Sequence, residues 1–92
     1  MILGYRDKRT RDFAHGKRVK AFSGIERPAR LKLDRLESAV TLRDVTVLPG
    51  NRFEVLKGNR KGQYSIRIND QFRVCFIWEG TDALDVEITD YH

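Results

Sequence analysis

The chain has 92 residues, of which 40% are hydrophobic and 34% are charged. This length predicts a single domain over residues 1–92, and the composition is that of a soluble globular protein rather than a disordered one. No apolar run approaches the roughly 20 residues that span a bilayer, and the charged segment after the first residues is unlike a signal peptide. With one cysteine, Cys75, the chain cannot form an internal disulfide, so we expect a cytoplasmic protein with no membrane partner.

Charge is distributed unevenly along the chain. Residues 1–61 contain 16 Lys or Arg against 7 Asp or Glu, whereas residues 62–92 contain 2 against 6, so the net charges are +9 and −4. A basic surface on a small domain favours a polyanionic partner, most often nucleic acid. Many small basic proteins bind no polyanion, and charge alone leaves both possibilities open.

The first part of the chain predicts a short strand and a helix. Residues 1–5 have the pattern of an opening strand, and residues 7–15 are compatible with a helix that ends at Gly16, a typical residue at a helix C-terminus. Residues 17–24 form a basic connector between this helix and the next.

The clearest helix covers residues 27–40, with Pro28 suited to its first turn. Its apolar side chains recur at helical spacing and form one stripe, Ala29, Leu33, Leu36 and Val40, which Leu31 and Ala39 widen. Residues 41–45 predict a further short helical turn, because Thr41 and Asp44 have the spacing of a capping box.

After a turn at Pro49 and Gly50, the hydrophobic period changes to two. Four segments with turn-like connections have the alternation of strands: 52–56, 63–69, 72–78 and 83–91. This order predicts an α+β fold, in which two N-terminal helices pack on one face of a twisted, antiparallel-rich sheet of four to five strands.

Alternation also separates the two faces of the predicted sheet. One face is apolar and contains Tyr64, Ile66, Ile68, Phe72, Val74, Phe76 and Trp78. The other face carries Arg67 and Arg73 among smaller groups, and Cys75 lies in an apolar run where a buried, inert thiol is expected. A solvated sheet face explains this pattern, and a concave polar site explains it equally well.

Several ordered motifs follow residue 50. They are L-K-G-N-R at 56–60, Y-S-I-R-I-N at 64–69, Q-F-R-V-C-F at 71–76 and the final D-Y-H at 90–92. This series resembles the RelE/ParE superfamily of bacterial toxins, and most of all its HigB branch. The first half fits in arrangement, with a short strand, two helices and a T-L-R-D turn before P-G-N-R. The resemblance implies the small RelE-like fold.

Resemblance to the HigB branch implies a function and a set of partners. It implies a toxin of a type II toxin–antitoxin system that acts as a ribosome-dependent endoribonuclease and cleaves mRNA in the ribosomal A site. The implied partners are mRNA and the ribosome with its rRNA, a helix-turn-helix antitoxin of the HigA type, and operator DNA bound indirectly through the antitoxin complex. No metal or other cofactor is implied, and the sequence has no His/Cys cluster with zinc spacing.

The last three side chains can all donate or accept a proton. Metal-independent RNA cleavage uses the 2′-OH as nucleophile, and it needs a base, an acid and positive charge around the phosphorus. His92 is the candidate proton carrier, because the ordinary pKa of histidine is closest to neutrality. Asp90 either orients the imidazole or accepts a proton, or it is a strand-end charge bound by a backbone N–H. Tyr91, which alternation places opposite Asp90, either contacts the RNA or covers the core.

The candidate phosphate-binding groups are basic residues of the second half. Lys57 and Arg73 match positions where the HigB pattern has basic catalytic or phosphate-contacting residues. Arg60 and Arg67 are further candidates, because a guanidinium group matches phosphate with two parallel hydrogen bonds. Arg67 is equally well explained as a surface charge.

Glu54 departs from the pattern, because some HigB members have a histidine at this position. Either Glu54 is the base and His92 the acid, or position 54 is not essential. The remaining basic segments, 6–11, 17–20 and 30–35, are predicted to contact ribosomal RNA, which would make binding steeply dependent on salt.

Two other functions remain open at this stage. A ParE-like toxin shares the fold and acts on DNA gyrase without cleaving RNA, but such toxins generally lack the D-Y-H ending. A non-catalytic RNA-binding module would present a row of exposed aromatic residues, whereas those of this chain share the apolar face. Removing His92 separates the three functions, because only the nuclease would be inactivated.

Overall fold

The computed structural model describes residues 1–47 and 50–90 of the chain. Its helices are α1 (Lys8–Ala14), α2 (Glu26–Ser38) and α3 (Leu42–Thr46), with 3-10 turns at Lys20–Phe22 and Gly58–Arg60. Its strands are β1 (Glu54–Val55), β2 (Tyr64–Arg67), β3 (Arg73–Glu79) and β4 (Asp82–Thr89). Within the described part, no helix has the length and apolarity needed to cross a membrane.

The strands form one antiparallel sheet in the order β1-β2-β3-β4. The first residues of the chain run beside β4, where Ile2 and Tyr5 form parallel bridges to Ala83 and Val86. The predicted opening strand is therefore present only as two isolated bridges. The α+β prediction is confirmed, with the helices on one face of an antiparallel sheet.

The predicted apolar face of the sheet builds the core with the helices. Buried side chains of the sheet meet those of the helices in one cluster, which includes Ile66, Val74, Phe76, Val86, Ile88, Phe13, Ala29, Leu33 and Leu36. Two predictions for α2 were wrong, because Val40 is 60% exposed and Leu31 is 48% exposed. The helix ends at Ser38, so helical spacing no longer applies to Val40. Leu31 is two positions from its apolar neighbours, which turns it toward the opposite side of the helix.

One residue of the basic connector belongs to the hydrophobic core. Phe22 is completely buried, and its ring packs edge-on against Phe13 and Phe72, with centroids 5.6 and 6.2 Å apart. Charge dominates the local sequence around Phe22, which is why a basic connector was predicted there.

Local capping sets the ends of the short helices. Asp7 accepts a hydrogen bond from the backbone N–H of Thr10 at the start of α1, and Gly16 follows the helix with a φ of +90°. Thr41 and Asp44 form the predicted capping box of α3. This short third helix lies where a helical turn was predicted, although the predicted fold counted only two helices. Pro49 of the predicted turn lies outside the described residues.

Two irregularities in the sheet position the side chains of the site. The predicted strand at 52–56 is reduced to two residues, because Arg52 adopts a φ of +44° that interrupts extended backbone. In β4, Asp85 has a φ of +49°, and the pairing with β3 shifts register between Cys75 and Ile77. Among the described residues, the simple alternation predicted for 83–91 therefore holds only from Val86 to Thr89.

Candidate active site

The sheet face turned away from the helices carries a band of polar and charged side chains, here called the open face. Cross-strand partners share a face of the sheet, and the register brings together Glu54, Ser65, Arg67, Arg73, Cys75, Glu87 and Thr89. The open face thus combines side chains from all four strands. It contains both arginines that alternation placed opposite the apolar face.

Arg73 is held at the centre of the open face by three neighbours. Its Nε donates a hydrogen bond to Ser65 Oγ at 2.8 Å, and its Nη2 donates to the carbonyl of Arg52 at 2.6 Å. Its Nη1 lies 3.6 Å from Glu54 Oε1, and the side chain is 14% exposed. The guanidinium is therefore fixed before any ligand binds, which lowers the entropy lost when it binds an anion.

A shallow cavity of about 280 Å³ opens beside Arg73, here called the depression. It is lined by Arg52, Glu54, Arg67, Asn69, Asp70, Gln71 and Arg73. Three guanidinium groups against two carboxylates give its lining a net positive charge. Arg67 pairs with Asp70 through Nη2 and Oδ1, so part of its charge is already compensated. The depression can therefore accept an anion, and Arg73 is its most rigidly held cation.

A second basic cluster on the open face is partly compensated by a carboxylate. Arg60 Nη1 donates to Glu87 Oε1 at 3.0 Å and to Gln63 Oε1 at 3.2 Å, and Arg6 Nε lies 3.9 Å from the same oxygen of Glu87. Cys75, the cross-strand partner of Glu87, is completely buried, and burial raises the pKa of its thiol to about 11. The thiol stays protonated near neutral pH, so it is inert as predicted.

The structure brings together three of the predicted site residues and separates others. Glu54, Arg67 and Arg73 line the depression. Arg60 is bound to Glu87 instead. Lys57 is exposed at the start of a 3-10 turn, and it is not among the described residues that line the depression.

The end of β4 leads to the depression. Thr89, the last residue of β4, pairs with Arg73, and the next residue, Asp90, is exposed. Asp90 Oδ2 accepts a hydrogen bond from Gln71 Nε2 at 3.4 Å, so Asp90 reaches the lining of the depression through Gln71. Tyr91 and His92, the other two candidates of the D-Y-H motif, lie outside the described residues.

Sequence reasoning missed several residues of this site. Arg52 and Gln71 line the depression, and Ser65 binds the guanidinium of Arg73. Arg52 was assigned to a strand, and its positive φ has no signature in the sequence. Gln71 and Ser65 both lie in the motifs that carry the family resemblance, so those motifs were the available signal. Among residues 1–47 and 50–90, no group of three or more His, Cys, Asp or Glu side chains could hold a metal ion.

Comparisons with known proteins give a consistent family. The family model described as the RelE-like toxin of the type II toxin–antitoxin system HigB matches residues 4–92. The sequence is 41% identical over 87 residues to Toxin HigB-1 of Vibrio cholerae serotype O1, covering 92% of each chain.

Solved structures share the fold. A chain of the YoeB–YefM complex from Staphylococcus aureus aligns with a TM-score of 0.63 at 21% identity, covering 100% of this chain and 95% of that chain. The YoeB/ParE toxin from Agrobacterium tumefaciens aligns with a TM-score of 0.59 at 18% identity, covering 99% of this chain and 98% of that chain. At such low identity the likeness concerns the fold alone.

Proposed function

The chain belongs to the HigB family of RelE-like toxins of type II toxin–antitoxin systems, and from this premise we propose that it is a ribosome-dependent endoribonuclease. In this proposal it cleaves mRNA in the ribosomal A site and thereby inhibits translation. The observation that carries the proposal is the fixed guanidinium of Arg73, which lies in a positively charged depression beside the carboxylate of Glu54. Such an arrangement supports phosphate binding next to a group that can accept a proton.

The scissile phosphate is proposed to bind at Arg73. The contact between Nη1 and Glu54 is an ion pair at 3.6 Å, longer than a hydrogen bond. Nη1 therefore keeps an N–H that can donate to a phosphate oxygen while Nε and Nη2 keep their protein partners. Arg67 and the exposed Lys57 add positive charge around the RNA backbone, with Arg60 as a further contact.

Cleavage is proposed to proceed by transfer within the RNA. Glu54 takes the proton of the 2′-OH, the 2′-oxygen forms a bond to phosphorus, and the bond from phosphorus to the 5′-oxygen breaks. His92 gives a proton to the departing 5′-oxygen. The products are a 2′,3′-cyclic phosphate and a 5′-OH end. Arg73 stabilises the negative charge that builds up on the phosphate oxygens in the transition state.

The other two residues of the D-Y-H motif receive supporting roles. Asp90 is proposed to orient the imidazole of His92, and its hydrogen bond with Gln71 ties it to the rim of the depression. Tyr91 is proposed to contact the RNA base or phosphate.

The proposed partners follow from the family. We propose that a helix-turn-helix antitoxin of the HigA type binds the chain and that their complex contacts operator DNA. The S. aureus toxin of similar fold is found in complex with YefM, which supports binding of an antitoxin by this chain. The basic residues of segments 6–11, 17–20 and 30–35, other than the buried Lys32, are proposed to contact ribosomal RNA, so the toxin would act in the cytoplasm.

Primer extension on a defined mRNA tests the proposal. Purified protein is added with and without ribosomes, and the wild type is compared with His92→Ala. New RNA ends in register with the reading frame, formed only with ribosomes and absent with the variant, are the expected result. Intact mRNA under every condition would overturn the nuclease proposal, and inhibition of gyrase supercoiling would then favour a ParE-like activity.

A further inference from the structure

A buried lysine contacts the loop that leads into the depression. Lys32 lies on the same helical stripe of α2 as Leu33 and Leu36, and only 7% of its surface is exposed. It forms no ion pair with any described residue. Its pKa is lowered, chiefly by burial and further by the charges of Arg35 and Arg67. Burial of a charge without a counter-ion is unfavourable, so an apolar residue would suit this core position better.

The ammonium group of Lys32 is bound by one residue that connects three elements. Lys32 Nζ donates a hydrogen bond to Oδ1 of Asn51, which is only 1% exposed. Asn51 Nδ2 donates to the carbonyl of Val45 in α3 at 2.9 Å, and the Asn51 carbonyl accepts from the backbone N–H of Arg67 in β2 at 2.6 Å. Asn51 therefore ties α2, α3 and β2 together.

The residue after Asn51 carries the carbonyl that binds Arg73. Arg52 has a φ of +44°, a left-handed conformation that is unfavourable for a long side chain such as arginine. In this conformation its carbonyl accepts a hydrogen bond from Arg73 Nη2. Such a backbone conformation persists only when its surroundings hold it, and the anchored Asn51 is the residue directly before Arg52.

We propose that Lys32 and Asn51 are positioning residues that hold the Arg52 carbonyl against Arg73 and so aim its guanidinium at the scissile phosphate. This inference rests on the proposed function, because it takes Arg73 as the phosphate-binding group. Lys32 lies behind the depression rather than in its lining. Its charge is retained in the core for the hydrogen bond to Asn51, at the expense of packing.

Substitution of Lys32 separates positioning from a merely structural role. Lys32→Met fills a similar volume with an apolar chain and removes a buried charge, but it also leaves the buried Oδ1 of Asn51 without its donor, so the two effects on stability oppose each other. We expect a folded protein with an unchanged or moderately lower melting temperature, an unchanged KM for ribosome-bound mRNA, and a kcat lower by roughly 10- to 100-fold, the range expected for a misplaced catalytic group. Lys32→Gln keeps an N–H donor, so it should recover part of kcat. Arg27→Met, an exposed charge removed from the same helix, is the matched control.

The Nε–H resonance of Arg73 gives a readout that does not depend on cleavage. This resonance is identified in ¹⁵N spectra by its loss in Arg73→Lys. The Nε–H should exchange with water several-fold faster in Lys32→Met, and its exchange should be unchanged in Arg27→Met. If Lys32→Met does not fold, Lys32→Gln is compared with the wild type, and a smaller loss of kcat with faster Nε–H exchange is expected.

The two readouts distinguish the possible failures. Wild-type kcat in a folded Lys32 variant, or an unchanged Arg73 resonance, would overturn the positioning role. Loss of kcat without any recovery in Lys32→Gln would also overturn it, because it would assign the effect to the charge alone. A wild type that cleaves nothing refutes the proposed function, and the resonance then decides whether Lys32 positions Arg73.

Discussion

The hydroxyl of Ser65 accepts a hydrogen bond from Arg73 Nε at 2.8 Å, across the pairing of β2 with β3. Ser65 is completely buried, so this contact is shielded from water. A small residue with a hydroxyl at this position thus fixes the angle of the central guanidinium. Three testable predictions concern Arg73 and its neighbours, and a fourth concerns the capping box of α3.

Ser65→Ala should lower the cleavage rate by about 10-fold and the free energy of unfolding by about 1 kcal/mol, the usual contribution of one hydrogen bond. The guanidinium keeps its hydrogen bond to the Arg52 carbonyl but loses the one that Nε donates, so its orientation is less restricted. Single-turnover cleavage on programmed ribosomes and urea denaturation measure the two quantities. A loss of stability without any change in rate would show that the hydroxyl serves only the fold.

Arg73→Lys should lower the cleavage rate by roughly 100-fold, although the charge is retained, because lysine is a point charge that cannot satisfy three neighbours in one plane. The exposed Arg43 provides the matched control, since Arg43→Lys should leave the rate unchanged. The same single-turnover assay applies. A wild-type rate in Arg73→Lys would mean that only the charge at this position matters.

Glu54→Gln should lower the cleavage rate by roughly 10²- to 10⁴-fold if Glu54 is the general base. Glu54→His introduces the residue that some HigB members have there, and it should restore much of the rate. The acidic limb of its pH–rate profile should move to higher pH. An imidazole is unprotonated, and so able to act as a base, only above about pH 6.5. A profile identical to that of the wild type would argue against a base at position 54.

The capping box of α3 should make stability depend on pH. Hydrogen bonds from the backbone N–H groups of Thr41 and Val40 hold the pKa of Asp44 below its ordinary value. The folded state therefore favours the ionised form, so this stabilisation is present above the pKa of the unfolded chain and is lost as pH falls through the lower folded pKa.

The variant Asp44→Asn should consequently be less stable than the wild type at pH 7, and the difference should shrink as the pH falls below about 4. Urea denaturation at several pH values measures this difference. The exposed Asp34 is the control, since Asp34→Asn should give no comparable dependence. A difference that stays constant down to pH 2.5 would contradict the role assigned to the Asp44 carboxylate.

The sequence predicted the parts of the fold that are periodic or short-range. Alternation identified the apolar face with Ile66, Val74 and Phe76, and spacing identified the capping box of α3. These features are periodic or short-range, so neighbouring residues determine them.

The parts that the sequence did not predict depend on contacts between distant residues. The core position of Phe22 depends on packing against Phe72, 50 positions along the chain. The positive φ of Arg52 and the burial of Lys32 both depend on the loop around Asn51, which precedes Arg52 and binds Lys32. Of the site residues predicted from the sequence, Glu54, Arg67 and Arg73 line the depression, whereas the bonds that orient them came only from the structure.

The shortness of β1 has a consequence for the proposed chemistry. Glu54 and Val55 pair with one neighbouring strand at the edge of the sheet, whereas β3, which carries Arg73, is paired on both sides. Edge segments with few backbone hydrogen bonds open at a lower free energy than central strands. The proposed proton acceptor can therefore adjust to the RNA in each catalytic cycle, while the cation proposed to bind the phosphate keeps its place.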